Sequence, residues 1–145
     1  MKQYFYEDGT LKTALSFSEG KLMGECTLYW PNGKLKRRVS FKNGIRDGLD
    51  QMFNADGILM DEGRYELGKP VGVHLRFNKQ GSLIEKIEYL DDVRFNLESF
   101  NDEGELWVDA KWIDELNYLE KAWDRFEKKW IEKKGRFDGN KLIYL

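Results

Sequence analysis

Between its glycines the chain alternates apolar and polar residues with a period of two, the pattern of strands with one apolar face. Leu11, Leu15 and Phe17 share a side with Leu35, Val39 and Phe41, and then with Leu83, Ile87 and Tyr89, while Lys36, Arg38 and Ser40, or Glu62 and Arg64, point the other way. The turn glycines Gly9, Gly33, Gly57 and Gly81 stand 24 residues apart, and Gly104 follows after 23. A second set keeps the same ruler: Gly20, Gly44 and Gly68, each followed four residues later by Gly24, Gly48 or Gly72. Asp92 and Asn96 hold the equivalent places in the next unit, and are expected to take over glycine's left-handed backbone there. An aromatic stands four residues before each turn glycine (Phe5, Tyr29, Phe53, Phe77, Phe100) and a leucine two after it (Leu11, Leu35, Leu59, Leu83, Leu106). A further aromatic stands eight after it, at Phe17, Phe41, Tyr65, Tyr89 and Trp112.

Each 24-residue unit therefore reads as two short antiparallel strands with glycine turns at both ends, and residues 1–108 as a single-layer antiparallel β-meander of such hairpins. The columns Tyr29, Phe53 and Phe77 are expected to be core. The opposite columns, Cys26, Asp50, His74 and Glu98 beside Leu28, Met52 and Arg76, are expected to present contact surface.

Between Gly81 and Gly104 the ruler loses one residue, and such a slip exchanges the faces of a strand unless a bulge absorbs it. From Asp109, read as an N-cap, Trp112, Leu116, Leu119, Trp123, Phe126 and Trp130 are spaced 4, 3, 4, 3, 4, which predicts an amphipathic α-helix over residues 109–134. Asp114 and Glu115 near its start, Lys128, Lys129, Lys133 and Lys134 near its end and Gly135 as its stop suit that reading. The helix is expected to lid the sheet's open edge, and residues 135–145, with an Asp-Gly turn at Asp138 and Gly139, to add a short terminal strand. The fold class is mostly β, one domain.

The stretch WPNGKLKRRVSFKNGIRDG, Trp30 to Gly48, is one such unit. Its pattern, aromatic-x-x-x-G-x-L, then an aromatic, then G-x-x-x-G, resembles MORN (membrane occupation and recognition nexus) repeats, and is most similar to the bacterial variant of YwqK-like toxin–antitoxin antitoxins. The resemblance runs from Tyr4 to Leu106 and implies a non-catalytic, protein-binding repeat module, an antitoxin or immunity-type protein that masks a partner. The eukaryotic form implies instead a membrane-associated scaffold, with Lys34, Lys36, Arg37 and Arg38 as anionic-lipid contacts. In this chain no glycine stands two residues after Gly24, Gly48 or Gly72, a departure from that form. An effector that binds a host protein is a third reading.

A hydrophobic fraction of 41% and an aromatic fraction of 14% suit a folded chain rather than a disordered one. The net charge of -2 is unevenly spread: residues 1–48 hold 9 basic and 5 acidic side chains, residues 49–109 hold 6 and 14, and residues 110–145 hold 9 and 7. The acidic middle would complement a basic partner such as a toxin and repel nucleic acid. One cysteine and one histidine exclude an internal disulfide framework and the usual zinc arrangements. The start MKQYFYEDGTLK has no secretory apolar segment, no apolar run approaches the roughly 18 residues of a membrane helix, and a cytoplasmic place is expected.

Cys26, Asp50 and His74 carry the residue types of a catalytic triad. They occupy one column of successive hairpins, however, so neighbours fall about 10 Å apart, beyond hydrogen-bond reach. No phosphate-binding glycine loop occurs. The expectation is no enzyme, cofactor or metal, and a protein partner met by Asp50, His74, Arg76, Glu98, Trp112, Trp123 and Trp130, with a homodimer as an alternative. Membrane binding by the expected helix is disfavoured, because Asp114, Glu120, Asp124 and Glu127 mix with its lysines.

Overall fold

Glycine and asparagine place the turns. In the turn at Trp30–Lys34, Gly33 sits at a φ of 81° and donates its N–H to Trp30 O at 2.9 Å, while Asn32 Oδ1 accepts from Lys34 N at 3.0 Å. At the other end of the same hairpin, Asn43 and Gly44 have φ values of 52° and 81°, the paired left-handed residues of a tight two-residue hairpin turn. In the computed structural model, which describes residues 1–138 and 141–145, these turns link strands only; the described residues form no helix.

The strands are β1 (Lys2–Phe5), β2 (Leu11–Leu15), β3 (Phe17–Ser18), β4 (Lys21–Leu22), β5 (Gly24–Tyr29), β6 (Leu35–Lys42), β7 (Ile45–Phe53), β8 (Leu59–Glu66), β9 (Lys69–Phe77) and β10 (Leu83–Tyr89). They continue with β11 (Phe95–Phe100), β12 (Leu106–Trp112), β13 (Asn117–Asp124), β14 (Lys129–Phe137) and β15 (Leu142–Tyr144). Thirteen of them form one antiparallel sheet in chain order, and β3 with β4 makes a separate small ribbon.

The sheet is one layer thick. Its accessible surface is 9783 Å², against about 7,800 Å² for a globular monomer of this mass. Among the described residues, Cys26, Val39, Ala110 and Tyr118 are the buried apolar side chains, and Asp50 and His74 are buried with them. Burial pushes the Tyr118 hydroxyl up to about 12.

Register explains this selection. Across the strands Cys26 faces Val39, Val39 faces Asp50 and Asp50 faces Gly63; His74 then faces Ile87, Ile87 faces Leu97 and Leu97 faces Ala110. The two halves of this spine join where the His74 ring lies directly on Gly63, so close that a Cβ on Gly63 would come within 2.1 Å of it. Beside the spine runs an aromatic row in which Phe41 faces Gly24, Tyr65 faces Gly48, Tyr89 faces Gly72 and Tyr118 faces Gly135. The reverse face carries a row from Arg38 through Gln51, Glu62, Leu75, Lys86 and Glu98 to Asp109 and Lys121. The columns Tyr29, Phe53 and Phe77, expected as core, are only half-buried.

Three expectations need correction. Leu97, not Glu98, continues the column of His74, because the 23-residue step moves Glu98 to the reverse face, where it pairs with Lys86 at 3.2 Å. Asp92 and Asn96 are not left-handed. The loop from Leu90 to Arg94 closes instead through Asp91 Oδ1, which accepts from Val93 N at 2.9 Å and Arg94 N at 2.7 Å.

Third, residues 109–134 are not a helix. They finish β12, form β13 and most of β14, and extend the meander. Asp109 lies inside a strand, and Gly135 is a buried strand residue opposite Tyr118, not a helix stop. The heptad interval from Trp123 to Trp130 is a cross-strand pair closed by a hairpin turn. Sheet hydrogen bonding explains the outcome: a hairpin satisfies the open backbone groups of β12, as a helix lying over the sheet would not. The expected short terminal strand is β15; Gly139 of the expected Asp-Gly turn lies outside the described residues.

Two stability predictions arise from these contacts. Gly63→Ala drives a methyl into the His74 ring and should cost about 1–3 kcal/mol in urea melts. A His74→Ala background should remove part of that cost, so a double-mutant cycle reads the contact. Hydrogen bonds from Arg94 N and Val93 N, then from the Arg94 side chain, hold the Asp91 carboxyl at about 2, below its ordinary 3.8. The associated stability is complete above about pH 4 and lost as pH falls towards 2, so melts across this range should steepen for the native chain and flatten for Asp91→Asn.

Candidate interaction site

The last long hairpin gathers aromatic side chains that the sheet does not bury. Pairing of β13 with β14 sets Trp123 opposite Trp130, with ring centroids 5.7 Å apart in an edge-to-face arrangement. Asp124 starts the turn by accepting from Phe126 N at 2.9 Å and Glu127 N at 3.0 Å through Oδ1, and Lys128, at a φ of 52°, completes it. These bonds hold the carboxyl of Asp124 below its ordinary value, with the Glu127 N–H the larger cause. Phe126 is left at the tip, 86% exposed, with the Arg125 guanidinium 5.3 Å from its ring.

Behind the tip, Leu106, Asp109, Lys121 and Trp130 line a concavity of 260 Å³. Its charges are locally balanced: Lys121 pairs with Glu132 at 3.0 Å and Asp109 with Lys111 at 3.0 Å. A Trp pair, an exposed Phe and an adjacent Arg are the side chains that most often anchor protein interfaces, because rigid rings desolvate a large area at small entropic cost.

The other residues named from the sequence lie elsewhere, and most are already engaged. Asp50, expected at a contact face, is buried between Arg37, which donates to it at 2.9 and 2.6 Å, and Arg46 at 3.3 Å. The hydrogen bond to Asp50 raises the Arg37 guanidinium above its ordinary value. His74, likewise buried, donates through Nε2 to Arg64 O at 2.8 Å and stands edge-on between Tyr65 and Tyr89, at 5.2 and 4.8 Å. Arg76 bridges Asp61 at 3.4 Å and Glu85 at 3.2 Å. Trp112 sits on the spine face against Tyr118 and Phe137, so it is separated from the Trp123/Trp130 pair that was expected to share its stripe.

Cys26 and His74 are four strand steps apart, roughly 19 Å, and share no cleft. Among the described residues no group of three His, Cys, Asp or Glu could hold a metal ion. The basic run is dispersed: Lys34 Nζ donates to Asp56 O at 2.9 Å, Lys36 lies 4.3 Å over the Trp30 ring, Arg37 is held by Asp50, and Arg38 pairs with Glu25 at 3.5 Å.

The spacing placed Phe126 on a helical seam and not among the contact residues, although the stretch WDRFEKKW carries Asp as a turn starter between two tryptophans. Edge-to-face indoles couple their electronic transitions, so far-ultraviolet circular dichroism should show an exciton couplet that either Trp123→Phe or Trp130→Phe abolishes. A couplet that survives both changes would contradict the pairing.

Residues 22–43 match the family model described as the MORN repeat variant. No curated protein matches the chain. The matched segment covers the hairpin of β5 and β6, the unit that the sheet repeats on either side of it. The chain thus carries a MORN-variant repeat set within a continuous sheet of like hairpins.

Proposed function

We propose that the chain is a non-catalytic repeat module that binds a protein partner through the aromatic surface of its last hairpin. The observation that carries this reading is the exposed Phe126 beside the Trp123/Trp130 pair, at the end of a sheet whose other large rings mostly pack against strand neighbours. In its finer form the reading is an antitoxin or immunity-type protein that masks a basic toxin. The likeness of Trp30–Gly48 to YwqK-like antitoxin repeats supports that form, as does the excess of 14 acidic over 6 basic side chains in residues 49–109. Lipid scaffolding has less support, since the cations it would use are spread over both faces and engaged by Asp56, Trp30, Asp50 and Glu25.

Affinity capture from native cells should recover a basic protein, and Phe126→Ser with Trp130→Ser should weaken its binding by about 2 kcal/mol or more, some thirtyfold. Co-expression should then relieve any toxicity of that protein, and the double variant should not. Recovery of acidic proteins alone, or capture indifferent to both substitutions, would defeat the proposal; salt-sensitive binding to anionic vesicles would favour the lipid reading instead.

A further inference from the structure

Successive hairpin turns alternate between the two ends of the strands, and on the end opposite Phe126 the last repeats carry loops of one build. Leu90 N donates to Arg94 O at 2.9 Å and Ile113 N to Asn117 O at 2.8 Å. Asp114 Oδ1 accepts from Leu116 N and Asn117 N at 2.8 and 2.9 Å, as Asp91 does from Val93 and Arg94. Asp138 Oδ1 accepts from Lys141 N at 2.9 Å in the next turn. The sequences repeat accordingly, YLDDVRF at Tyr89 and WIDELNY at Trp112, 23 residues later.

Each of the first two loops holds two aliphatic side chains in solvent. Leu90 and Val93 belong to one and Ile113 and Leu116 to the next, with Val93 58% and Ile113 63% exposed. Between the loops lie two concavities that share Phe137 as a wall. One, of 410 Å³, is bounded by Val93 and Glu115, and the other, of 530 Å³, by Leu116, Ile143 and Leu145. A run of exposed aliphatics around paired hollows is a surface that solubility alone does not explain.

Charge states what would cover it. At the first concavity Asp91, Asp92 and Glu115 face a single cation, Arg94. Arg94 is already bound to Asp91, its Nε donating at 2.7 Å, and Asp92 pairs with Lys69. Glu115 has no hydrogen bond or ion pair among the described residues. A purely apolar cover would strip water from this unpaired carboxylate, so the cover must bring a cation to it. Arg136 and Asp138, one charge of each sign, line the second concavity, so the excess of negative charge, and with it the place for a basic group, lies at the Glu115 end.

We propose that this edge is a second docking surface, independent of the aromatic hairpin, for an extended basic and aliphatic segment of a partner protein. Loops two strands apart repeat at about 10 Å, so the three turns span roughly 19 Å, the length of about six extended residues. Alternate aliphatic side chains would enter the hollows beside Phe137, and a lysine or arginine would meet Glu115.

The test is fluorescence anisotropy of the full chain with a capped hexapeptide of alternating leucine and lysine. Its counterparts have glutamate in place of lysine or serine in place of leucine. Saturable binding of the leucine–lysine peptide alone is expected. Glu115→Lys and Leu116→Asp should each weaken it about tenfold or more, while Trp130→Ser should leave it unchanged. If Leu116→Asp shifts the thermal melt, Val93→Asp replaces it. Equal binding of either counterpart, or binding indifferent to the edge variants while their melts stay native, would overturn the proposal. The hairpin reading would stand, because only Phe126 and Trp130 test it.

Discussion

A sheet one layer thick has no opposing layer to bury its side chains, and everything else in this structure answers that constraint. Burial has to come from neighbours along the sheet, so the contacts that count run across strands rather than between layers. The spine from Cys26 to Ala110, the rings packed edge-on against rings of adjoining strands, and the charged side chains closed onto one another each remove surface that a core would otherwise remove. The His74 ring on the bare backbone of Gly63, flanked by Tyr65 and Tyr89, is the tightest of these contacts. Asp50 between two guanidiniums is its polar counterpart: a carboxylate this buried persists only where cations and hydrogen bonds replace its water.

The same constraint locks one repeat to the next. Trp30 Nε1 donates to Phe53 O at 3.0 Å, Asn32 Nδ2 to Ala55 O at 2.7 Å and Tyr6 OH to Tyr29 O at 2.8 Å, each reaching one unit along the sheet. Turns tied in this way hold their tips in fixed relation, and fixed tips make a surface that orders little on binding. Function in such a scaffold belongs where side chains are left unsatisfied by their neighbours. The first repeats leave some of these, such as Tyr4, Phe5 and Leu67, and the last ones leave more: Phe126 and Trp130 at one end of the strands, Val93, Ile113 and Glu115 at the other.

Much of the fold was legible because the 24-residue ruler is made of backbone requirements. A left-handed turn favours Gly or Asn, which recur at the same places in each unit, and a strand's period of two follows from its geometry. The site was less legible. Trp123 and Trp130 were singled out for their chemistry, yet their spacing fits both a helical seam and a hairpin pair, and periodicity alone does not separate the two. The recurrence of YLDDVRF in WIDELNY, and the Asp-led turn in WDRFEKKW, favour strands, since both mark turns rather than helical faces.

By itself, then, the amino-acid sequence determined the repeating hairpin, its turns and its alternating faces, because these depend on residues within one unit or its immediate neighbour. Which column became the spine was decided by the tertiary structure. Asp50 and His74 look like surface residues until Arg37, Arg46, Tyr65 and Gly63 are brought over them from adjoining strands. Likewise the removal of one residue between Gly81 and Gly104 acquires meaning only across strands, where it sends Glu98 to the reverse face and lets Leu97 complete the column. Burial and pairing in a one-layer sheet are properties of neighbouring strands, and neighbours exist only once the chain has folded back on itself.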